Sequence, residues 1–191
     1  MERIPWPGAP ADSRARATIG AQLGRDTRGE VAIVARCEYG LPAVVRTAPR
    51  LRDGTPFPTL YYLTCPMAVR AAGRLEASGA MRDYERRLAE DADVRGAYED
   101  ADERYRAQRD SLAVLPDAPS AGGMPGRVKC LHALYAHELA DGNPIGALVR
   151  DAIEPLGCPG PCVTDGEPAP GHPGFAGKGH RNRHKPRKEG A

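Results

Sequence analysis

A chain of 191 residues, 41% apolar and 27% charged, fits one domain with a tail, and its 22 Gly and 19 Pro commit much of it to turns and linkers. No stretch approaches the roughly 20 apolar residues of a membrane span, and MERIPWPGAPADSRARA lacks the apolar middle of a signal peptide, so the chain reads as cytoplasmic. The net charge of +2 is uneven: residues 178–191 hold six of the 27 Lys/Arg and one of the 25 Asp/Glu, leaving 21 against 24, or −3, in residues 1–177, which argues against a nucleic-acid-binding body.

Residues 13–23, SRARATIGAQL, suit a short helix closed by Gly24. VAIVARC (31–37), PAVVRT (42–47) and FPTLYYLT (57–64) are rich in β-branched or aromatic residues and are separated by Tyr39-Gly40 and Asp53-Gly54. They predict three short strands of an antiparallel meander. Pro56 and Pro58 lack the N–H a ladder needs, which places the start of the third strand at an edge or outside the sheet.

From Pro66 the period becomes helical: Val69, Gly73 and Leu75, then Met81, Tyr84 and Leu88, then Tyr98, Tyr105 and Leu112 at seven-residue steps. Cys65-Pro66 suits an N-cap followed by proline at the first helical position, and Gly79 suits a stop. Residues 92–114 are acidic early and carry Arg104, Arg106 and Arg109 late, which matches the helix dipole at both ends. The Tyr98 and Tyr105 stripe reads as core packing. LPDAPSAGGMP, ending at Pro125, is a loop, a helix follows from about Val128 to Ala140, and a last short helix lies within 145–156.

The expected architecture is therefore α+β, with a small N-terminal antiparallel sheet covered by helices. It divides into a flexible N-terminus at 1–18, a single domain at 19–157, and a Pro/Gly-rich, disordered basic tail at 158–191. The tail's charge can attract nucleic acid, an acidic protein or anionic lipid, or simply keep it solvated.

The chemistry gathers in GGMPGRVKCLHALYAH, residues 122–137. If the helix starts near Val128, Cys130 and His137 lie within about 20° of one another on one face, whereas His132 sits about 160° from Cys130. His132 joins Cys130 only if Cys130 lies in the loop ahead of the first turn. Five cysteines without export read as thiols or metal ligands rather than a disulfide framework.

A structural zinc takes four thiolate or imidazole ligands. The candidate set is Cys65, Cys130 and His137, completed by Cys37, His132, Cys158 or Cys162, for zinc or an iron–sulfur centre. Reactive thiols at helix starts, and cysteines that merely pack, are the competing readings. A second use of the segment is anion capture, with Gly122-Gly123 and a helix start beside Arg127 and Lys129, joined by Arg46 and Arg50. The P-loop spacing is absent, and so are a GxSxG elbow and a Ser-His-Asp series, so no catalytic constellation can be named.

RTAPRLRDGTPFPTLYYLTCP (46–66) and AGGMPGRVKCLHALYAHELADGNPIG (121–146) resemble an actinobacterial family known as domain of unknown function 501, over roughly residues 19 to 155. The resemblance implies no activity. It implies a gene context beside a septum-formation-initiator-type division protein and an exopolyphosphatase.

The leading expectation is a binding protein with a Cys/His metal site or a small-anion site. An interaction protein of cell division or envelope growth, which uses the acidic long helix to contact a division-associated partner, is the second. An enzyme acting on a phosphorylated substrate is the third.

Overall fold

Two almost fully buried strands, β3 (Val31–Arg36) and β4 (Pro42–Thr47), pair antiparallel across the Tyr39-Gly40 turn. Their near-continuous Val, Ile and Ala content is what burial on both faces requires. The computed structural model describes residues 1–27, 29–116 and 118–176. The expected tail beyond residue 176 lies outside the described residues.

β5 (Tyr61–Leu63) adds to β4, with Val44 opposite Leu63 and Arg46 opposite Tyr61. Pro56 and Pro58 precede it outside the ladder, as their missing N–H groups demand. Two further strands, β1 (Glu2–Arg3) and β2 (Ala9–Pro10), share the other edge of β3, with Glu2 opposite Arg36 and Ala9 opposite Ile33. The result is a five-stranded antiparallel sheet. Residues 1–18, expected to be flexible, thus contain two strands and the start of α1 (Ser13–Leu23).

Each helix start carries a physical signal. Asp12 accepts from Ala15 N at 2.7 Å at the head of α1. Cys65 caps α2 (Pro66–Ala77), with Pro66 at the first helical position. α3 (Ala80–Glu90) follows Gly79, and Asp91 accepts from Asp93 N and Val94 N at the head of α4 (Ala92–Leu112). α5 (Leu131–Ala140) leads to Asn143, which accepts from Gly146 N at the head of α6 (Pro144–Ile153).

The main core lies where α5 meets the sheet, with Leu131, Leu134, Tyr135 and Ala136 wholly buried, and α2, α4 and α6 around them. Tyr98 and Tyr105 of α4 are wholly buried, as their spacing predicts. Among the described residues of α4, Leu112 at its end is the exposed large apolar side chain, so no outward apolar stripe remains for a partner. Gly146 lets α6 close on α5, since a Cβ there would strike the Leu134 carbonyl. None of the described helices is long and apolar enough to cross a membrane.

Composition assigns residues 158–176 to the tail, and the structure corrects this. They form a hairpin of β6 (Val163–Thr164) and β7 (Glu167–Pro168), then a 3-10 turn at Pro173–Phe175. Tyr39 Oη donates to the Cys158 carbonyl at 3.0 Å, Arg70 donates to the Ala176 carbonyl, and Phe175 and His172 are buried. Those anchors act over more than a hundred residues of sequence, which local composition does not reveal.

A candidate metal centre where two helices meet

α5 begins at Leu131, three residues later than the periodicity suggests. The Gly122 carbonyl accepts from Lys129 N at 2.6 Å and Cys130 N at 3.3 Å, and Glu85 Oε1 accepts from Val128 N at 3.3 Å. These bonds use the N–H groups of residues 128–130 outside a helix. Cys130 is left extended (φ −149°, ψ 107°) as the N-cap, so it lies ahead of the first turn. That is the condition under which His132, rather than His137, joins it.

Glu76 completes the group. Val69, Gly73 and Glu76 share one face of α2 at i, i+4 and i+7, and this face meets the start of α5. Glu76 Oε1 accepts from Leu131 N at 2.7 Å and stands 3.1 Å from His132 Nδ1. His132 Nε2 lies 3.0 Å from the Val69 carbonyl, which fixes a proton on that nitrogen. Cys130 Sγ, a His132 ring nitrogen and a Glu76 oxygen all fall within 4.8 Å of one another.

This tautomer presents Nδ1 to a carboxylate, one acceptor facing another, so a proton or a metal cation must stand between them. The hydrogen bond with Cys130, and then the bond and charge of Glu76, outweigh burial and lift His132 to about 9. The side chains that hold a proton so firmly also suit a cation. The 3.1 Å N···O separation is close to the roughly 3.3 Å that two ligands at zinc distances subtend in a tetrahedron. A backbone carbonyl holding the far N–H is the usual support of a metal-bound imidazole. Cys130 and His132 also border a cavity of about 390 Å³ whose walls include Arg25, Tyr61, Tyr62 and Thr64.

The other expected ligands lie apart from this group. His137 is wholly buried, stacked on Tyr61 at 5.6 Å and edge-on to Tyr105 at 5.2 Å. Asn143 Nδ2 stands 3.3 Å from its Nδ1, which leaves the proton on Nε2, 3.8 Å from Asp141 and beyond hydrogen-bond distance. Burial lowers its pKa, so it is a neutral core residue. Cys65 borders a different cavity with Cys37, Cys158 and Cys162. Burial pushes the Cys65 thiol up to about 12 and raises Cys158 and Cys162 as well, which disfavours free thiolates there.

The anion reading loses its donors. Leu131 N and Val128 N are taken by Glu76 and Glu85, so the chain's own carboxylates fill the place of an anion at this helix start. Arg46 donates to the Pro7 carbonyl at 2.8 Å and lies over Trp6, while Arg50 donates to the carbonyls of Gly54 and Val114. Arg127 and Lys129 are exposed.

Glu76 escapes a sequence reading because a glutamate on an amphipathic helix looks like solvated surface. Its only available signal is the seven-residue step from Val69. Fold and geometry define an α+β domain with a mixed carboxylate, thiol and imidazole donor group. The chain belongs to the family described as protein of unknown function (DUF501), whose sequence profile matches residues 33–151. That span includes Glu76, Cys130 and His132 and stops short of Cys158 and Cys162. No curated protein matches the chain, and no solved structure does.

Proposed function

We propose that this is a metal-binding protein that holds a zinc-class divalent ion at Glu76, Cys130 and His132, with the remaining coordination position on the adjoining cavity. The observation that carries the reading is His132 Nδ1 facing Glu76 at 3.1 Å, with Nε2 held by the Val69 carbonyl. Three ligands of mixed type plus an accessible fourth position make a site that binds exchangeable ligands rather than a closed structural site. A thiolate ligand suits a reducing compartment, in keeping with a cytoplasmic protein.

The test is a Co²⁺ titration of the full-length chain after chelator treatment. Thiolate-to-metal absorption is expected in the wild type and reduced by the contribution of this one site in Cys130→Ser, with affinity at this site at least about tenfold weaker in His132→Ala and Glu76→Gln. A folded Cys130→Ser/His132→Ala variant that binds as many ions as the wild type, equally tightly, would falsify the proposal.

A further inference from the structure

Four of the five cysteines meet at a second place, independent of the Glu76 group. Cys37 follows β3, Cys65 caps α2, and Cys158 and Cys162 belong to the segment after α6, yet all four line one cavity of about 190 Å³. Three distant parts of the chain are thus brought together around sulfur. All five thiols are free.

Two of the four sulfurs face N–H donors. Gln22 Nε2 lies 3.5 Å from Cys162 Sγ and donates to the Pro42 carbonyl at 2.9 Å, which fixes the orientation of its amide. His172 Nδ1 accepts from Gly174 N at 3.2 Å, so its proton is on Nε2, which stands 3.4 Å from Cys158 Sγ. His172 is therefore a donor to sulfur and not a ligand in this arrangement. Gln22, only 1% exposed, borders the cavity, and its Oε1 has no hydrogen-bond partner among the described residues. N–H groups aimed at thiolates are what support and tune metal-bound sulfur.

The spacing bears on which centre fits. Among the described residues, Glu76, Cys130 and His132 are the group of three whose donor atoms all lie within 4.8 Å. No three of the four sulfurs are that close, whereas a single zinc at Zn–S of about 2.3 Å draws its thiolates to about 3.8 Å. An iron–sulfur cluster places its own iron and sulfide between the thiolates and holds them farther apart.

We infer that Cys37, Cys65, Cys158 and Cys162 ligate an iron–sulfur cluster at this cavity, with Gln22 and His172 as hydrogen-bond donors to Cys162 and Cys158. On assembly the four thiols release their protons to solvent and form four Fe–S bonds to a cluster built from ferrous iron, ferric iron and sulfide, with no net change of oxidation state.

The test uses the full-length chain, purified without oxygen or reconstituted with ferrous and ferric iron and sulfide. Bound iron and acid-labile sulfide with visible charge-transfer absorption are expected, with four thiols protected and released when iron is removed. Iron should fall at least about tenfold in Cys158→Ser/Cys162→Ser and stay unchanged in Cys130→Ser. His172→Phe should keep the iron and shift the reduction potential. Zinc in place of iron at these cysteines overturns the inference, as does a chain without iron or sulfide whose cysteines all react freely. Neither result touches the Glu76 site, whose own test is loss of metal on changing Cys130 and His132.

Discussion

The two donor groups are built in opposite ways. At Glu76, Cys130 and His132 the donors come from two packed helices and are already close, because Glu76 is pinned by Leu131 N and the imidazole by the Val69 carbonyl. At the four-cysteine cavity the sulfurs come mostly from loops and the C-terminal segment, and they stand apart. The first group is pre-organised by the fold, whereas the second depends on what it binds to gather its ligands. Metal binding should therefore add little order at the first and much at the second.

The strongest way to break the comparison is to move α5 itself. Gly146→Ala places a methyl group against the Leu134 carbonyl and Glu138, where α6 crosses α5. The expected cost is about 3 kcal/mol in chemical denaturation, since a backbone carbonyl cannot swing away as a side-chain tip can. The same substitution should weaken Co²⁺ binding at the Glu76 group and leave iron at the four-cysteine cavity unchanged. A stability loss under about 0.5 kcal/mol would mean that α5 and α6 are not held at this separation.

Stripping metal sharpens the contrast from the other side. A centre present at 100 times its Kd contributes about 2.7 kcal/mol to the state that binds it. Hydrogen exchange in residues 158–176 should speed up by as much as about a hundredfold when iron is removed, because Cys158 and Cys162, two of the four ligands, lie in that segment. The first turn of α5 should change little when its own metal is stripped, since Leu131 N keeps its Glu76 acceptor. Equal changes in the two segments would remove the distinction between a pre-organised and a ligand-gathered site.

Much of this was legible where local physics decides. Gly24 closes α1, Cys65-Pro66 opens α2, and the tyrosine stripe of α4 is buried. What was not legible depends on partners far along the chain. The start of α5 is set by a carbonyl at Gly122 and carboxylates at Glu76 and Glu85, and that start decides between His132 and His137. β1 and β2, two residues each, are too short to show a period. Residues 158–176 look like a tail because their anchors, Tyr39 and Arg70, lie more than a hundred residues away.

His137 provides the smallest effect and tests whether the two histidines of α5 have been told apart correctly. The titratable neighbours facing it are Tyr61 and Tyr105, Asp141 and Glu138, with Arg104 beyond. Burial raises both tyrosines, so they stay neutral. Burial opposes ionisation of Asp141, but the neighbouring His137 and the hydrogen bonds from Gln108 and Arg104 hold it at about 2. His137 is thus the group in this pocket that changes charge near neutrality, and its folded pKa lies below the ordinary value of about 6.5. The unfolded chain then takes up the proton first. The stability that neutral His137 contributes is complete above about pH 6.5 and is lost as the pH falls below it, with a slope no steeper than about 1.4 kcal/mol per pH unit. Urea denaturation of wild type and His137→Gln between neutral and mildly acidic pH isolates this contribution, because the other groups cancel in the difference. A slope of the opposite sign would mean that His137 is protonated in the folded protein and paired with Asp141, which would make it a charged site rather than part of the core.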